Sequence, residues 1–508
     1  MARSRFIARS ALFNWASYGV TFVVAFFLSP YVVHHLGNIP YGVWTLVGSL
    51  VSYMGLLDLG LRGAVTRYVA RFRTQGEHSE ASRSVSAALW LRMWISVFIV
   101  LASATLAFLL PRFVNLPPDL QSAMRWALFL TGTNLAMTLT FGVFGAVLAA
   151  MHRFDMLSSV TMSQALARAI GVVLLLRAGH GIVSLAALEL SIGVAANLSI
   201  AILAFRVYPQ LRISLSRPAT EILKTLWSYS FYAFLINVAV QVVYYTDNLI
   251  VGAFVSLSAV TLYAIGGTLI EYLRQLVSSL TVAFTPLASS LEAEGEKNEM
   301  KRLLIHGTRA SLLIALPIEV ALFFRGPTFI ELWMGPQYAA TSGKILQILL
   351  VAQIFALANN TSGGIAYGMG KHKPVAIWAC VEGVSNLVLS IILVRRWGII
   401  GIAWGTAIAS LAIHLTFWPR YICKLVQMPV AKYLWRAWAQ PFIAVAPFAA
   451  ACYLADKYWK DSSLLIFFGQ IAALLPLFVA GIAVCFWGEI REFWRGPLNP
   501  WRRKPAAQ

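Results

Sequence analysis

Residues 36–70 have the sequence LGNIPYGVWTLVGSLVSYMGLLDLGLRGAVTRYVA, and they indicate how the whole chain is built. Positions 40–63 are almost entirely apolar, and about 20 such residues form a helix that crosses the hydrocarbon of a membrane. Two charged residues, Asp58 and Arg62, interrupt the apolar run, and a polar, basic connection from Arg67 to Arg83 follows it. The stretch therefore predicts a transmembrane helix that carries charge inside the membrane and ends in a basic loop.

The same pattern extends over the rest of the 508 residues. Hydrophobic residues make up 59% of the chain and charged residues 12%, whereas soluble domains carry about 25% charged residues. We predict an all-α polytopic membrane protein with about 14 transmembrane helices. The predicted spans are 12–33, 40–63, 85–110, 122–150, 156–177, 181–205, 228–251, 258–287, 308–332, 343–369, 375–394, 398–422, 441–457 and 463–487.

Membrane topology explains the formal net charge of +20, because Lys and Arg collect in the short loops on one side of a membrane. With the N-terminus placed inside, Lys and Arg are about three times as frequent in the inner segments as in the outer ones, as the positive-inside rule requires. We therefore expect a multi-pass protein of the bacterial inner membrane, with both termini cytoplasmic and no nucleic-acid partner. The basic start at Met1–Arg9 precedes an apolar run to Val33, which is too long for a cleaved signal and predicts a retained first span.

A faint internal repeat appears when the chain is shifted by 219 residues. The shift places Trp44 on Tyr263, and Glu77 on Glu296. The first six spans and the next six would then be duplicate halves in the same orientation, related by an axis along the membrane normal.

We predict a six-helix lobe at 1–225, a second at 226–425, and a C-terminal part at 426–508. The C-terminal part would hold a surface-lying helix at Met428–Gln440, two further spans and a basic cytoplasmic tail.

Charged residues inside the predicted spans are the candidate functional residues, because a charge at a helix centre costs roughly 2.5–3.5 kcal/mol. Asp58 and Arg62 are four residues apart, and Glu271 and Arg274 are three apart, so each pair can neutralise itself on one helix. That structural role is one interpretation. The repeat favours another, in which both pairs lie on equivalent helices that line a central cavity.

Arg92 and Arg168 have no acid three or four residues away on their own helices. Their partner must come from another helix, from water or from an anionic ligand, and Glu189 is a structural alternative. A guanidinium group binds diphosphate oxygens bidentately, so arginines in the spans favour a phosphate-headed ligand.

Glu319 follows Pro317 by two residues and is a candidate for H⁺ or Na⁺ coupling, although such a proline is more often only a kink. The four cysteines are scattered without a CxxC pair, and they predict neither a metal site nor a disulfide framework. We expect no other cofactor.

Several of these residues resemble a known family. Leu36–Trp44, Leu57–Leu61 and Thr66–Ala70 resemble the second helix of the O-antigen (Wzx-type) flippases, which belong to the multidrug/oligosaccharidyl-lipid/polysaccharide exporter superfamily. Asp247–Gly252 and Tyr263–Gly267 at the start of the second half look similar to the same family. The resemblance implies alternating access of an undecaprenyl-diphosphate glycan, bound between two lobes, in O-antigen, lipopolysaccharide or related polysaccharide biosynthesis. It implies the lipid bilayer, the lipid-linked glycan and a polysaccharide polymerase or assembly proteins as partners.

On this resemblance Arg62, Arg92, Arg168 and Arg274 are expected to bind the cargo. Asp58, Glu189, Glu271 and Glu319 are expected to couple ions or pair charges. A multidrug exporter of the same superfamily is the alternative, but its mostly cationic substrates would be repelled by these arginines. A glycan polymerase or ligase is a weaker alternative, because the outer connections are short and no GxSxG or HExxH motif occurs. We therefore expect a protein that is not an enzyme.

Overall fold

The computed structural model describes residues 2–58, 61–112, 116–214, 231–281, 284–459, 461–489 and 491. The side chains of residues 2–12, 14, 15, 61, 62, 112, 231–233 and 280 lie outside that description. In the described residues the regular structure is entirely helical. The α-helices are α1 Ala2–Leu36, α2 Asn38–Met54, α3 Leu61–Gln75, α4 His78–Leu109, α5 Pro118–Ala150, α6 Phe154–Arg177, α7 Ile182–Val207, α8 Phe231–Phe254, α9 Leu257–Thr281, α10 Phe284–Glu294, α11 Lys297–Met334, α12 Pro336–Ala358, α13 Asn360–Gly368, α14 Lys373–Leu425, α15 Val430–Tyr433, α16 Gln440–Tyr458 and α17 Leu464–Cys485.

Thirteen helical stretches of the described chain are long and apolar enough to cross a membrane. One of them, the 53-residue α14, is two helices joined at Gly398, where φ is 56° and ψ is −139°. The Ser390 hydroxyl donates to the Ile402 carbonyl at 3.3 Å, so the two arms of α14 lie side by side. Because α14 supplies two spans, the thirteen stretches account for the predicted fourteen, and the predicted fold class is confirmed.

Helix boundaries recur at the spacing of the predicted repeat. One membrane-length stretch runs over Asn38–Gln75 and another over Leu257–Glu294, and each is 38 residues long. The next helices begin at His78 and Lys297, which are again 219 residues apart. The same spacing separates Gly179 from Gly398, and both glycines have a positive φ.

The turn after each long stretch also has the same hydrogen bonds in both copies. Gly76 and Gly295 have φ of 77° and 72°, a left-handed conformation that glycine adopts at little cost. The next amide, of Glu77 or Glu296, donates to the carbonyl five residues earlier at 2.9 or 3.0 Å. These bonds are those of a helix C-terminus closed by a left-handed glycine.

The chain packs into two compact units. The first comprises Met1–Ala264 with Ala379–Leu387. In it α5 packs against α4 and α7, α1 against α6, and α2 against α8. A Cβ added at Gly132 would overlap the Ser103 side chain, so small residues set the close approach of α5 to α4.

The second unit comprises Ile265–Trp378 with Val388–Gln508. Its centre is the pair α11 and α12, and α16 and α17 pack together and against α11. The predicted lobe boundaries near 225 and 425 stay predictions.

The segment Met428–Gln440, predicted as a surface-lying helix, is helical from Val430 onward, and its position relative to the membrane stays a prediction. Helix α15, a π-helical turn over Leu434–Ala439 and α16 form one continuous helix. Tyr433 and Trp438 on this segment are buried, whereas Lys432 and Arg436 are exposed. The two aromatic side chains therefore pack against the rest of the protein, and the two cations lie on its surface.

Candidate functional site

Asp58 and Arg92 form an ion pair in the first unit, where the second span changes from one helix to the next. Helix α2 ends at Met54, and one 3₁₀ turn follows over Gly55–Asp58. The Asp58 carboxylate accepts from the Arg92 guanidinium, and Arg92 also donates to the Leu139 carbonyl at 2.6 Å. The Arg92 side chain is only 2% exposed, so its charge is compensated by protein groups.

Asp58 thus has a partner on another helix, Arg92 of α4, which the sequence did not indicate. The sequence predicted a pair with Arg62, four positions along the chain, and that pair stays a prediction. The side chain of Arg62 lies outside the described residues. The sequence left three kinds of partner open for Arg92: another helix, water or an anionic ligand. The structure shows a partner from another part of the chain, Asp58.

The room for this guanidinium comes from Gly142 on α5. A Cβ at Gly142 would lie 2.6 Å from Nη1 of Arg92, closer than non-bonded atoms approach. A side chain at position 142 would therefore have to displace the Arg92 guanidinium from its present place.

Arg168 on α6 pairs with Glu189 on α7 at 2.6 Å. This is the structural alternative that the sequence offered for Arg168. The pair differs from Asp58–Arg92 in its exposure, because the Arg168 side chain is 45% exposed.

Glu271 and Arg274 pair within α9, as their spacing predicted. The Arg274 guanidinium donates from Nε and Nη2 to the two carboxylate oxygens, at 2.8 and 2.7 Å, and the Gln275 amide donates to the same carboxylate. Both charged side chains are about one-quarter exposed.

Glu319 on α11 has a different environment. Its residue is 1% exposed, and neither carboxyl oxygen has a hydrogen-bond partner in the part of the chain that the structure describes. No group of three or more His, Cys, Asp or Glu side chains that could hold a metal occurs among the described residues.

Two buried arginines on α11, Arg309 and Arg325, were missed by the sequence analysis. Arg309 donates to the Arg436 carbonyl at 2.6 Å, to the Gln440 side chain at 2.5 Å and to Glu489 at 2.7 Å. Its guanidinium carbon also lies 4.9 Å from the centre of the Phe486 ring. It thus connects the start of α11 with α16 and with the chain after α17.

Arg325 makes the corresponding connection near the other end of α11. Its guanidinium pairs with Asp461 at 2.5 Å and donates to Gln470 at 2.7 Å. Both partners of the ion pair are 1% exposed. Asp461 follows Arg325 by 136 positions, so no local spacing in the sequence indicates the pair.

The described helical stretches of membrane-spanning length, several of which carry ion pairs, define a polytopic all-α membrane protein. More particularly, the chain belongs to the polysaccharide biosynthesis protein family, whose model matches residues 40–343. The resemblance to the polysaccharide exporters is thereby confirmed.

Individual relatives extend the match over most of the chain. A putative O-antigen transporter of Shigella flexneri is 23% identical over 433 residues, which is 83% of this chain and 99% of the relative. The membrane protein EpsK of Bacillus subtilis is 24% identical over 491 residues, or 93% of both chains. A probable flippase of Haloferax volcanii, AglR, is 23% identical over 423 residues, 82% of this chain and 83% of the relative.

Solved structures share the fold. The lipid II flippase MurJ in an inward closed conformation has a TM-score of 0.72 at 15% identity, covering 95% of this chain and 99% of its own. An inward-facing MATE multidrug resistance transporter of the MOP superfamily has a TM-score of 0.66 at 14% identity, covering 78% and 94%. At these identities the likeness shows the fold alone.

Proposed function

We propose that this protein flips a lipid-linked oligosaccharide, an undecaprenyl-diphosphate glycan, across the bacterial inner membrane by alternating access. The observation that carries the proposal is the family match together with the alignment to 99% of a putative O-antigen transporter. The MurJ-like fold supports it, because MurJ is a lipid II flippase.

The charge chemistry supports a diphosphate ligand. The candidate cargo residues are arginines, and the planar guanidinium fork matches phosphate oxygens better than a lysine point charge does. We assign the leading cargo role to Arg168, because its side chain is paired with Glu189 yet remains 45% exposed. Arg274, which is half-buried, and Arg62 keep the role proposed from the sequence. Arg92 takes a positioning role instead, because Asp58 and Leu139 occupy its guanidinium.

The orientation and partners follow from the same proposal. Both termini are cytoplasmic, and the glycan is received from the enzymes that assemble it on that face. It is released on the opposite face to a polysaccharide polymerase or assembly protein.

A multidrug exporter is the second candidate, and the MATE-like fold favours it. Cationic drugs would have to pass the arginines of the spans, and like charges repel strongly where the dielectric constant is low. The flippase therefore remains the better-supported function.

Reconstitution tests the proposal. Proteoliposomes would receive a fluorescent undecaprenyl-diphosphate disaccharide, and an added glycosidase would report how much of the sugar reaches the other leaflet. We expect transfer by the protein at a rate well above empty liposomes, and no extrusion of ethidium in cells that overproduce it. Ethidium extrusion without glycolipid transfer would contradict the flippase and favour the exporter.

A further inference from the structure

Helix α2 is joined to α8 and to the start of α9 by a row of polar contacts within the first unit. At the beginning of α2, the Thr261 hydroxyl donates to the Asn38 carbonyl at 2.6 Å. Further along α2, the Asn248 amide donates to the Ser49 hydroxyl at 3.2 Å. The row also contains the pairs Ser52–Gln241 and Tyr53–Thr246. We call this row of contacts the seam.

At the beginning of α2 the seam is a crossing of two equivalent helices. The 219-residue spacing of the repeat relates Asn38 to Leu257 and Gly42 to Thr261, so α2 and α9 correspond to each other in the two copies. The Asn38 carbonyl faces Thr261, and the Leu257 carbonyl faces Gly42, where a Cβ would overlap its oxygen. Exchange of the two copies turns each of these contacts into the other. The crossing therefore lies on the axis that relates the copies.

The proposed topology puts this crossing on the outer side of the membrane. With the N-terminus in the cytoplasm, α1 leads outward and α2 begins on the outer face. The seam ends at Tyr53, shortly before the 3₁₀ turn over Gly55–Asp58. Beyond that turn the second span continues as α3, which packs against α4 and α5. The seam thus closes the outer part of the second span against α8 and α9.

The chemistry of the seam suits an interface that opens and closes. Its hydrogen bonds are made by polar side chains, and both Ser49 and Thr261 are buried. When such an interface separates, water can replace each lost partner, so the polar groups are not left unsatisfied. At the crossing the small Gly42 lets the helix backbones approach closely without interlocking side chains.

We propose that the seam is the outer gate of the transport path, and that α2 and α9 separate at their crossing when the cargo leaves on the outer face. The proposal rests on the flippase function and the topology given above, because it requires a cargo that is released on that side. In the described structure the gate is closed.

Cross-linking tests whether the seam has to open. Ser49→Cys with Asn248→Cys places two thiols at a seam contact, and a short bis-methanethiosulfonate should join them. We expect the cross-linked full-length chain in proteoliposomes to lose nearly all transfer of the fluorescent undecaprenyl-diphosphate disaccharide, and dithiothreitol to restore it. The same reagent applied to the chain without added cysteines corrects for the four native cysteines.

Ser96→Cys with Thr140→Cys is the matched control. It replaces a hydroxyl contact of 2.7 Å between α4 and α5, which belong to the same copy of the repeat. Its cross-link should leave the transfer rate unchanged. Transfer at the control rate by the seam-cross-linked protein would overturn the proposal, because the seam would then be a permanent packing contact.

Gly42 provides a test that does not depend on transport. Gly42→Ala places a methyl group against the Leu257 carbonyl in the closed gate, so it should shift the chain toward the open gate. An impermeant maleimide added from outside should then label Ser49→Cys roughly tenfold faster. Gly48→Ala on the same helix is the control, because its Cβ would meet no atom within 4 Å and it raises helix propensity equally. It should leave the labelling rate unchanged.

The two experiments distinguish failure of the gate from failure of the proposed function. If the wild type moves no glycolipid, the flippase function fails, and the labelling rates still decide whether the seam opens. Equal labelling rates in the two alanine backgrounds would contradict the gate. If Gly42→Ala does not fold, Thr261→Val takes its place, because it keeps the side-chain size and removes the hydrogen bond to Asn38. It should also accelerate labelling, and an unchanged rate would contradict the gate.

Discussion

The Asp58–Arg92 pair permits a direct test of whether a membrane arginine serves the fold or the cargo. Arg92→Met removes the guanidinium from Asp58 and from the Leu139 carbonyl. Breaking a buried pair by removing one partner costs roughly 3–5 kcal/mol. Asp58 is about one-third exposed, so water would compensate part of its charge and we expect about 3 kcal/mol.

The double variant decides the question. Asp58→Asn alone leaves the Arg92 cation buried, and should also destabilise by about 3 kcal/mol. The two substitutions together remove both charges, so no unpaired charge remains buried. The double variant should therefore be about 2 kcal/mol more stable than the sum of the two single effects predicts. The exposed pair Glu80–Arg83 is the matched control, and its removal should cost no more than about 1 kcal/mol.

The assay is unfolding of the detergent-solubilised protein by increasing SDS, followed by tryptophan fluorescence. Additive single effects, with a coupling below about 0.5 kcal/mol, would refute the structural role of the pair. A double variant that recovers stability yet transports nothing would indicate that Arg92 binds the cargo.

The other predictions concern the remaining arginines and the topology. Arg168→Ala should weaken binding of the lipid-linked diphosphate roughly ten- to a hundredfold, as loss of a charge-assisted contact predicts, and Arg168→Lys should restore only part of it. Recovery of both stability and transport of Arg168→Ala by Glu189→Gln would contradict a role in cargo binding. Arg325→Met should destabilise by roughly 3–5 kcal/mol in the same SDS titration, and an unchanged midpoint would contradict the buried pairing. A cysteine placed at Gly76 should react with an impermeant maleimide only from the cytoplasm. A cysteine placed at Gly335 should react only from outside. Labelling of both cysteines from the same side would contradict the predicted topology.

The sequence predicted the features that depend on local spacing. Apolar length located the spans, including the separation within α14 near Gly398, because hydrophobic segments and a helix-breaking glycine are local signals. The Glu271–Arg274 pair was predictable for the same reason, since three positions on one helix bring side chains together.

The sequence could not predict pairs that depend on packing. The pair Asp58–Arg92 joins the 3₁₀ turn after Met54 with α4, and no local spacing in the sequence connects the two residues. The pair Arg325–Asp461 joins residues that are far apart in the chain, and nothing in either local sequence indicates the other. Burial of Glu319 without a partner is likewise a property of the packed helices.

The contacts of Arg309 and Arg325 bear on how a chain of this kind can gain or lose helices. Removal of α16 and α17 at the gene level would expose two cations to lipid, because Gln440, Glu489, Asp461 and Gln470 would leave with them. A viable twelve-span descendant therefore needs apolar replacements at both arginines, acquired before or together with the truncation. The reverse step, addition of a helix pair to a twelve-span ancestor, becomes difficult to undo once these two arginines are present.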